Sequence, residues 1–281
     1  MGTRIREFSQ VDVFASAPYL GNPVAVVLRG DGVTAVEMQR LARWTNLSET
    51  VFVLPATKTK ADYRLRIFTP GGELPFAGHP TLGAAHAWLD NGGIPQSPGT
   101  IVQECAAGLV EIRVKQDALS FAAPPTLRTG PLDDEFLAQI SDAFDLIPGA
   151  IVAHQWVDNG PGWAVVQLSS ADEVLALEPD LSKIPHAKIG AIGPYPEGAQ
   201  HAFEIRAFAP GVGVPEDPVT GSLNASVAQW LIGSGAAPSA YRVSQGARVG
   251  RAGSIQITAD DDGTVWVGGN CATLVKGTIA I

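Results

Sequence analysis

Two stretches of the sequence have the residue types of an anion-binding helix start. Residues 75–81 read PFAGHPT and residues 215–222 read PEDPVTGS, and each leads from a turn into a helical pattern. The first N–H groups of a helix have no partner within it, and the positive end of the helix dipole adds to their attraction for an anion. Both stretches therefore predict anion sites, although ordinary capped helix starts have the same pattern.

Ionisable residues in or near these stretches are candidates for acid–base chemistry. His79 lies between a glycine and a proline at the entrance of the first helix, where it is accessible but also fits a capping or core histidine. Glu216 and Asp217 precede the second helix and could simply complement its dipole. Glu49 directly precedes an apolar strand-like segment, a setting that suits a general acid or base as well as a surface glutamate at a strand start.

Other familiar catalytic motifs are absent from the sequence. The five histidines show no metal-binding spacing, and there is neither a P-loop nor a complete dinucleotide-binding fingerprint. Without a G-x-S-x-G motif, a hydrolase or lyase would depend on Thr220 or Ser222 and an unidentified base. Cys105 and Cys271 are too few for a disulfide framework or an all-cysteine metal site; they fit two free thiols better than one bridge.

The elements that position the candidate residues occur twice in the chain. A pattern of Phe-x-Pro-Gly, a later proline and a final Trp-Leu spans residues 68–89 and recurs at residues 208–231. The copies begin 140 residues apart, at 68 and 208, which is about half of the 281 residues. A single long repeat predicts a duplicated domain rather than a solenoid of short units.

In each copy an apolar strand leads through the turn into a helix with almost no charge, at residues 80–90 and 222–232. A helix without a polar face is buried on all sides, so each half is expected to wrap a sheet around one central helix. Two amphipathic helices are predicted at residues 34–45 and 133–144, and the prolines of residues 122–131 predict a linker. The predicted strands are residues 11–14, 23–28, 51–54, 63–68, 109–114, 163–168, 202–208, 254–258 and 265–268.

Composition limits the class of protein. With 46% hydrophobic residues the chain can form a sizeable core, which excludes a disordered protein. A net charge of −9 without long runs of like charge argues against nucleic acid or an anionic membrane as a partner. No apolar stretch is long enough for a membrane span and no signal sequence is recognised, so a soluble, cytoplasmic protein is expected.

Taken together, the motifs resemble the PhzF family of phenazine-biosynthesis-like proteins, whose fold is that of diaminopimelate epimerase. The first-half and second-half signatures contain the two junctions described above, and the glutamate motif reads NLSET. The matching segments are residues 11–14 with 21–26, 46–50, 68–83, 208–222, and 244–246 with 250–251. They run in order along most of the chain.

The resemblance implies an α+β fold of two pseudo-symmetric domains, each a curved, mostly antiparallel sheet around a central buried helix. The domains are expected at residues 1–122 and 129–281, with the terminal strand, residues 272–281, packing on the first half. It also implies a cofactor-independent isomerase that moves a proton between carbons of a small anionic substrate in the inter-domain cleft. A homodimer is consistent with the same resemblance.

Site roles follow from the resemblance residue by residue. Glu49 is expected to be the acid–base group, with His79 and Asp217 as its polar partners. The residues expected to hold the substrate carboxylate are Gly78, Thr220, Gly221 and Ser222. Epimerases of this fold carry a cysteine at each helix start.

In this chain the two cysteine places correspond to Ala77 and to Asp217 or Pro218, which excludes a two-thiol racemase. Leu223-Asn224 and Ala252-Gly253 depart from the family pattern. The sequence therefore does not identify the substrate, and it does not show whether the protein acts in a phenazine pathway. A non-catalytic carboxylate-binding protein and a hydrolase or lyase are the alternatives to the isomerase.

Overall fold

The computed structural model describes residues 3–115 and 118–281, which fold into two compact units. The first unit comprises the chain up to Ala122 together with Gly268–Ile281, and the second comprises Ala123–Val267. Each combines a mixed, mostly antiparallel sheet with helices, so the predicted α+β class is confirmed. Among the described residues, every helix is too short or too polar to cross a lipid bilayer.

Sixteen strands and five α-helices are found in the described residues. The strands are β1 (Ile5–Val13), β2 (Asn22–Val27), β3 (Glu49–Leu54), β4 (Tyr63–Phe68), β5 (Glu73–Leu74), β6 (Thr100–Cys105), β7 (Gly108–Lys115), β8 (Ala118–Ala122), β9 (Ala153–Trp156), β10 (Ala164–Gln167), β11 (Ile189–Pro194), β12 (Phe203–Ala209), β13 (Val214–Asp217), β14 (Ala240–Gln245), β15 (Gly253–Ala259) and β16 (Val265–Ala280). The helices are α1 (Ala35–Thr45), α2 (Gly78–Asp90), α3 (Asp134–Ala143), α4 (Ala171–Ala176) and α5 (Gly221–Gly233).

The strands of the first unit form a closed ring. Its order is β1, β2, β3, β4, β6, β7, β8 and β16, and β16 pairs in turn with β1. The pairs β2–β3 and β4–β6 are parallel. The antiparallel pairs are β1–β2, β3–β4, β6–β7, β7–β8 and β1–β16. A closed ring has no exposed edge and encloses a space that a helix can fill.

Helix α2 fills the ring of the first unit. It contacts β1, β2, β3, β4 and β8, and nine of its thirteen residues are buried. Gly83 is needed at the closest approach, because a Cβ atom there would lie 2.3 Å from Cγ1 of Val24 and 3.1 Å from Cγ2 of Val13. The helix without a polar face, predicted from the sequence, is thus surrounded by the strands of the first unit.

The second unit repeats the same succession of strand pairings. From β9 to β15 the pairs β10–β11 and β12–β14 are parallel, and the pairs between them are antiparallel. Helix α5 is its central helix, with eight buried residues, and it packs on β15. Leu223 of α5 approaches β11 so closely that a Cβ atom on Gly190 would lie within 3 Å of its side chain.

The segment predicted as a linker, residues 122–131, contains the boundary between the two units, at Ala122 and Ala123. Residues 123–130 belong to the second unit and join its two outer strands. The N–H of Ala123 donates to the carbonyl of Val265 at one side, and the N–H of Trp156 donates to the carbonyl of Gly130 at the other, both at 2.8 Å. Prolines remove some backbone donors here, but the remaining residues still find partners, which composition alone does not show.

The smaller helices begin at side-chain caps. Thr34 and Glu37 form a capping box at α1, and the side chain of Asp133 accepts from the N–H of Phe136 at α3. The predicted ranges include these caps, so the helices begin one residue later than expected.

Helix α4 and the strands β5, β6, β8, β9, β11, β13 and β14 have no matching prediction, because short segments carry too little periodicity.

The C-terminal strand belongs to the first unit from Gly268 onward. Residues Cys271–Ala280 of β16 pair antiparallel with β1, and Ile5 stands opposite Ala280. The segment 272–281, expected to pack on the first half, lies within the part of this strand that belongs to the first unit. Long-range pairing between the two ends of the chain decides this division.

Replacing Gly83 with alanine is expected to destabilise the protein by about 1–3 kcal/mol, because the rigid Val24 side chain cannot move away from the new methyl group. Gly233→Ala is the matched control, since a Cβ atom on this helical glycine would meet no atom within 4 Å. Helix propensity predicts a gain of up to about 1 kcal/mol for that variant. Urea denaturation measures both, and a stabilised Gly83→Ala protein would contradict the close approach.

Candidate active site

The first unit brings Glu49 and His79 together at the start of α2. Glu49 is the first residue of β3, and His79 is the second residue of α2. Oε2 of Glu49 lies 3.1 Å from Nε2 of His79, and the side chains are only 12% and 5% exposed. The distance is within hydrogen-bond range, although the two groups are not aligned for a conventional hydrogen bond. Two candidates that are thirty residues apart in the sequence thus form one buried pair.

Burial keeps the imidazole of this pair neutral. Removal from water lowers the pKa of His79 to about 3, because desolvation disfavours the charged form. Near neutral pH the ring therefore carries one proton, on either Nδ1 or Nε2. His79 is then a poor proton carrier at that pH, and its contribution depends on where its single proton lies.

Asn22 determines the position of that proton. Nδ2 of Asn22 lies 3.4 Å from Nδ1 of His79, and an amide nitrogen can only donate a hydrogen bond. With the amide in this orientation Nδ1 accepts, which favours the tautomer with its proton on Nε2, toward the carboxylate of Glu49. Asn22 begins β2, whose parallel pairing with β3 sets Val24 opposite Glu49. The sequence pattern includes Asn22 in a motif but gives no sign of this role.

The start of α2 has no side-chain cap. Ala77 is the N-cap residue and has no oxygen with which to bind the first N–H groups of the helix. Gly78, the first helical residue, is buried and has no Cβ atom to shield the backbone. The local structure is therefore compatible with the predicted anion site, beside the Glu49–His79 pair.

In the second unit, Asp217 and Thr220 are held together in front of α5. Asp217 ends β13, and Thr220 is the N-cap residue of α5. The Thr220 hydroxyl does not cap the helix; it hydrogen-bonds to Oδ2 of Asp217 at 2.6 Å. Gln245, at the end of β14, bonds to the same turn through its side-chain amide. Gln245 lies in a motif that the sequence pattern singles out, without a predicted role.

Ser222 is oriented by a tryptophan. Nε1–H of Trp163 donates to Oγ of Ser222 at 3.0 Å, and Nδ2–H of Asn159 donates to the Ser222 carbonyl at 3.1 Å. Because Oγ already accepts from the indole, its own proton points elsewhere and can be donated to a ligand. Gly221 precedes Ser222 as the first residue of α5 and is buried. Trp163 and Asn159 have no signal in the sequence, since they precede the helix by about sixty residues.

Glu216 and Asp217 are adjacent but have different roles. Both oxygens of Glu216 accept from the guanidinium of Arg206, at 2.9 and 2.8 Å. Arg206 also donates to the carbonyls of Val174 and Leu177 at the end of α4. A buried, two-pronged ion pair of this kind anchors β13 to β12 and α4. Of the two acidic residues, only Asp217 faces the start of α5 through Thr220.

The N-cap residues of α2 and α5 change one of the positions expected to match the cysteines of epimerases. By position relative to the helix, the residue that matches Ala77 is Thr220, because each is the N-cap residue directly before the first glycine. The correspondence to Asp217 or Pro218 is therefore wrong, although neither N-cap residue is a thiol. Cys105 and Cys271 are free cysteines outside both helix starts, and burial raises the pKa of both, that of Cys271 to about 12.

The predicted site residues thus form two groups. Glu49, His79 and Gly78 lie together in the first unit, while Asp217, Thr220, Gly221 and Ser222 lie together in the second. Within residues 3–115 and 118–281, no cluster of three or more His, Cys, Asp or Glu side chains has the arrangement of a metal site. Each group consists of one carboxylate, a polar side chain beside it and the start of a buried helix.

His79 is expected to make the protein less stable as the solution is acidified. In the unfolded chain histidine takes up a proton below its ordinary pKa near 6.5, whereas the folded state binds it only near pH 3. Unfolding therefore takes up a proton across this window, and the free energy of unfolding decreases as the pH is lowered. The contribution of this residue is about 1.4 kcal/mol for each pH unit between about pH 6 and pH 4.

Urea denaturation at several pH values measures this slope. His79→Gln is expected to lose stability less steeply on acidification than the wild type. His186→Gln, at an exposed histidine of the second unit, is the control and should follow the wild-type curve. Parallel curves for wild type and His79→Gln would contradict a buried, neutral His79.

Comparisons with known proteins identify the family. The model of the phenazine biosynthesis-like protein family (PhzC-PhzF) matches residues 11–277. "Antisense-enhancing sequence 1" of Schizosaccharomyces pombe is 36% identical, with 96% of this chain and 97% of that protein covered. A trans-2,3-dihydro-3-hydroxyanthranilate isomerase of Pseudomonas chlororaphis is 35% identical over 96% of this chain and 98% of its own.

Solved structures agree with this result. A PhzF-family phenazine biosynthesis protein of Bacillus anthracis superposes with a TM-score of 0.83 at 23% identity, covering 99% of this chain and all of the other. That likeness supports the fold, and the isomerase relatives confirm the expected enzyme class. The chain belongs to the phenazine biosynthesis-like (PhzC-PhzF) family.

Proposed function

We propose that this protein is a cofactor-independent isomerase that moves a proton between carbon atoms of a small unsaturated or amino carboxylic acid. The observation that carries the proposal is the buried pair of Glu49 and neutral His79 at the start of α2. Family membership and the isomerase relatives support the reaction class.

Glu49 is the proposed proton carrier. Its carboxylate removes a proton from one carbon, and the electrons of that C–H bond form a new double bond as the existing double bond shifts. The resulting carboxylic acid then returns the proton to the carbon at the far end of the shifted system. No oxidant, reductant or further group is needed, and one positioned side chain performs both transfers.

His79 supports this chemistry without exchanging its own proton. A histidine whose pKa is about 3 neither competes with Glu49 for the substrate proton nor becomes charged near neutral pH. Its Nε2 lies 3.1 Å from Oε2 of Glu49, and a small movement of either side chain would let the N–H donate to the ionised carboxylate, the form that accepts a proton. In this proposal His79 orients Glu49, in contrast to the expectation that it could itself carry the proton.

Each uncapped helix start is a proposed binding place for an anionic group of the substrate. Gly78 and Gly221 leave the backbone N–H groups accessible, and Ser222 has a hydroxyl proton that Trp163 leaves available. Asp217 would accept from an amino or hydroxyl group of a molecule bound at the start of α5. This arrangement suits a small molecule with an anionic group and a polar donor.

Trans-2,3-dihydro-3-hydroxyanthranilate, which names the activity of several relatives, is an acid of this class and the first substrate to test.

A hydrolase or lyase based on Thr220 or Ser222 has less support. The hydroxyl partners seen in the described residues are Asp217, Gln245 and Trp163, and none of them is a histidine base. A binding protein without turnover remains an outcome of the test.

Incubation of the protein with this acid and related unsaturated or amino acids in D₂O tests the proposal. Incorporation of deuterium into a product of unchanged composition, detected by mass shift and NMR, is the expected result. Binding of the acids without isotope exchange would instead identify a carboxylate-binding protein. Cleavage of the acids would identify the hydrolase or lyase.

Glu49→Gln preserves the shape of the side chain and removes its ability to accept a proton. We expect the exchange rate to fall by about 10²–10⁴-fold while the acid still binds. Glu73→Gln, at a partly exposed carboxylate paired with Arg66 in the same unit, is the matched control and should retain the wild-type rate. A Glu49→Gln protein with the wild-type exchange rate would remove the central proposal.

Asp217→Asn is expected to reduce the exchange rate less than Glu49→Gln. The amide oxygen of asparagine can still accept from the Thr220 hydroxyl, so the turn is preserved while the negative charge is lost. The same D₂O assay measures the effect. Equal losses in the two variants would show that both carboxylates carry protons, which contradicts the assignment of Glu49 alone.

A further inference from the structure

The side-chain amide of Gln245 is fully buried and uses all of its hydrogen-bonding capacity. Its Nε2 donates to the carbonyl of Asp217 at 3.1 Å and to the hydroxyl oxygen of Thr220 at 2.9 Å. Its Oε1 accepts from the N–H of Thr220 at 3.0 Å and from Nδ2 of Asn224 at 2.9 Å. Two donors and two acceptors are the full set for a glutamine side chain, so its orientation is fixed.

This orientation determines the direction of the Thr220 hydroxyl. Because Nε2 of Gln245 can only donate, Oγ1 of Thr220 must accept from it. The hydroxyl has one proton, which is then directed to Oδ2 of Asp217, 2.6 Å away. Hydrogen bonds to an ionised carboxylate are among the strong ones in proteins. A chain of two hydrogen bonds therefore runs from the amide of Gln245 to the carboxylate of Asp217.

The first unit contains a comparable glutamine without such a chain. Gln103 of β6 is also fully buried, and its Nε2 donates to Oγ1 of Thr81, the fourth residue of α2. Asn224, which Gln245 contacts, is likewise the fourth residue of α5. Gln103 also accepts from the hydroxyl of Tyr63 through its Oε1. Both glutamines thus hold a central helix, and only Gln245 is linked to a carboxylate of the candidate site.

We propose that Gln245 is a positioning residue that acts through Thr220 on Asp217, and that it fixes the carboxylate of Asp217 as a hydrogen-bond acceptor toward the substrate. The inference rests on the proposed function, in which Asp217 contacts the substrate. It assigns to the amide side chain two tasks that can be separated, which are to hold α5 and to direct one proton.

Gln245→Glu separates the two tasks. A glutamate at this position still accepts from the N–H of Thr220 and from Asn224, so it retains the contacts that hold the helix. It can no longer donate to Thr220, whose hydroxyl then turns its proton toward the new carboxylate. Asp217 loses a hydrogen bond, as it does in Thr220→Val, where the hydroxyl is absent.

The first measurement uses the protein without substrate. The ¹³C resonance of the Asp217 carboxyl, assigned by its absence in Asp217→Asn, is expected to shift in Thr220→Val and in the same direction in Gln245→Glu. The matched control is Gln103→Glu, with the same chemical change at an equally buried glutamine, and it should leave the resonance in place. A shift in Thr220→Val without one in Gln245→Glu would overturn the proposal.

The second measurement is the isotope-exchange rate with the acid that the D₂O assay identifies. Gln245→Glu and Thr220→Val are each expected to lower it about 10-fold, as for one lost hydrogen bond to a charged group. The double variant should be no slower than the slower single variant, because both changes remove the same hydrogen bond. Losses that multiply in the double variant would show a merely structural role and would overturn the proposal.

The two measurements separate failure of this inference from failure of the proposed function. If no acid is exchanged, the carboxyl resonance still decides whether Gln245 acts on Asp217. If Gln245→Glu does not fold, Gln245→Met, which has similar length and no charge, replaces it. Without the Nε2 donor the Thr220 hydroxyl is free to rotate, so the Asp217 resonance is expected to shift in the same direction as in Thr220→Val but by less. A resonance at its wild-type position in a folded Gln245→Met protein would show that Gln245 does not fix this hydroxyl and would contradict the proposal.

Discussion

The burial of two helices that have no polar face is the constraint on which the structure depends. Such a helix is stable in water only if apolar groups surround it, and in each unit the strands provide that enclosure. The enclosure of α2 leaves room only for glycine at position 83, where Val24 and Val13 approach the helix. Since both helix starts lack a side-chain cap, the same burial places uncapped backbone N–H groups beside buried polar residues.

Burial at the helix starts also sets the electrostatics of the two carboxylates. In the first unit, desolvation makes His79 neutral, so Glu49 faces an N–H group and not a positive charge. In the second unit, Asp217 receives its hydrogen bond from Thr220, whose direction is set by Gln245. The duplicated fold thus supplies two similar frames and gives the carboxylates different partners, as expected where one group moves a proton and the other orients a substrate.

The sequence predicts the parts of this arrangement that depend on local pattern. The two uncharged helices and their turns follow from composition and spacing, which also mark Glu49, His79 and Asp217 as candidates, while the expected roles of these three residues come from the family resemblance. It does not predict the contributions of Asn22 and Gln245, because an amide side chain shows its role only when its partners are known. The pairing of residues 123–130 with distant strands is likewise invisible in a proline-rich segment.

The charge and tautomer of the His79 ring test the central claim most directly, because they decide whether Glu49 or His79 can carry a proton. The ¹⁵N chemical shifts of its two ring nitrogens, measured between pH 5 and 8, report both charge and tautomer. We expect a neutral ring with the proton on Nε2 throughout this range. A charged ring near neutral pH, or a neutral ring with the proton on Nδ1, would contradict the assignment of Glu49 as the proton carrier beside a neutral donor.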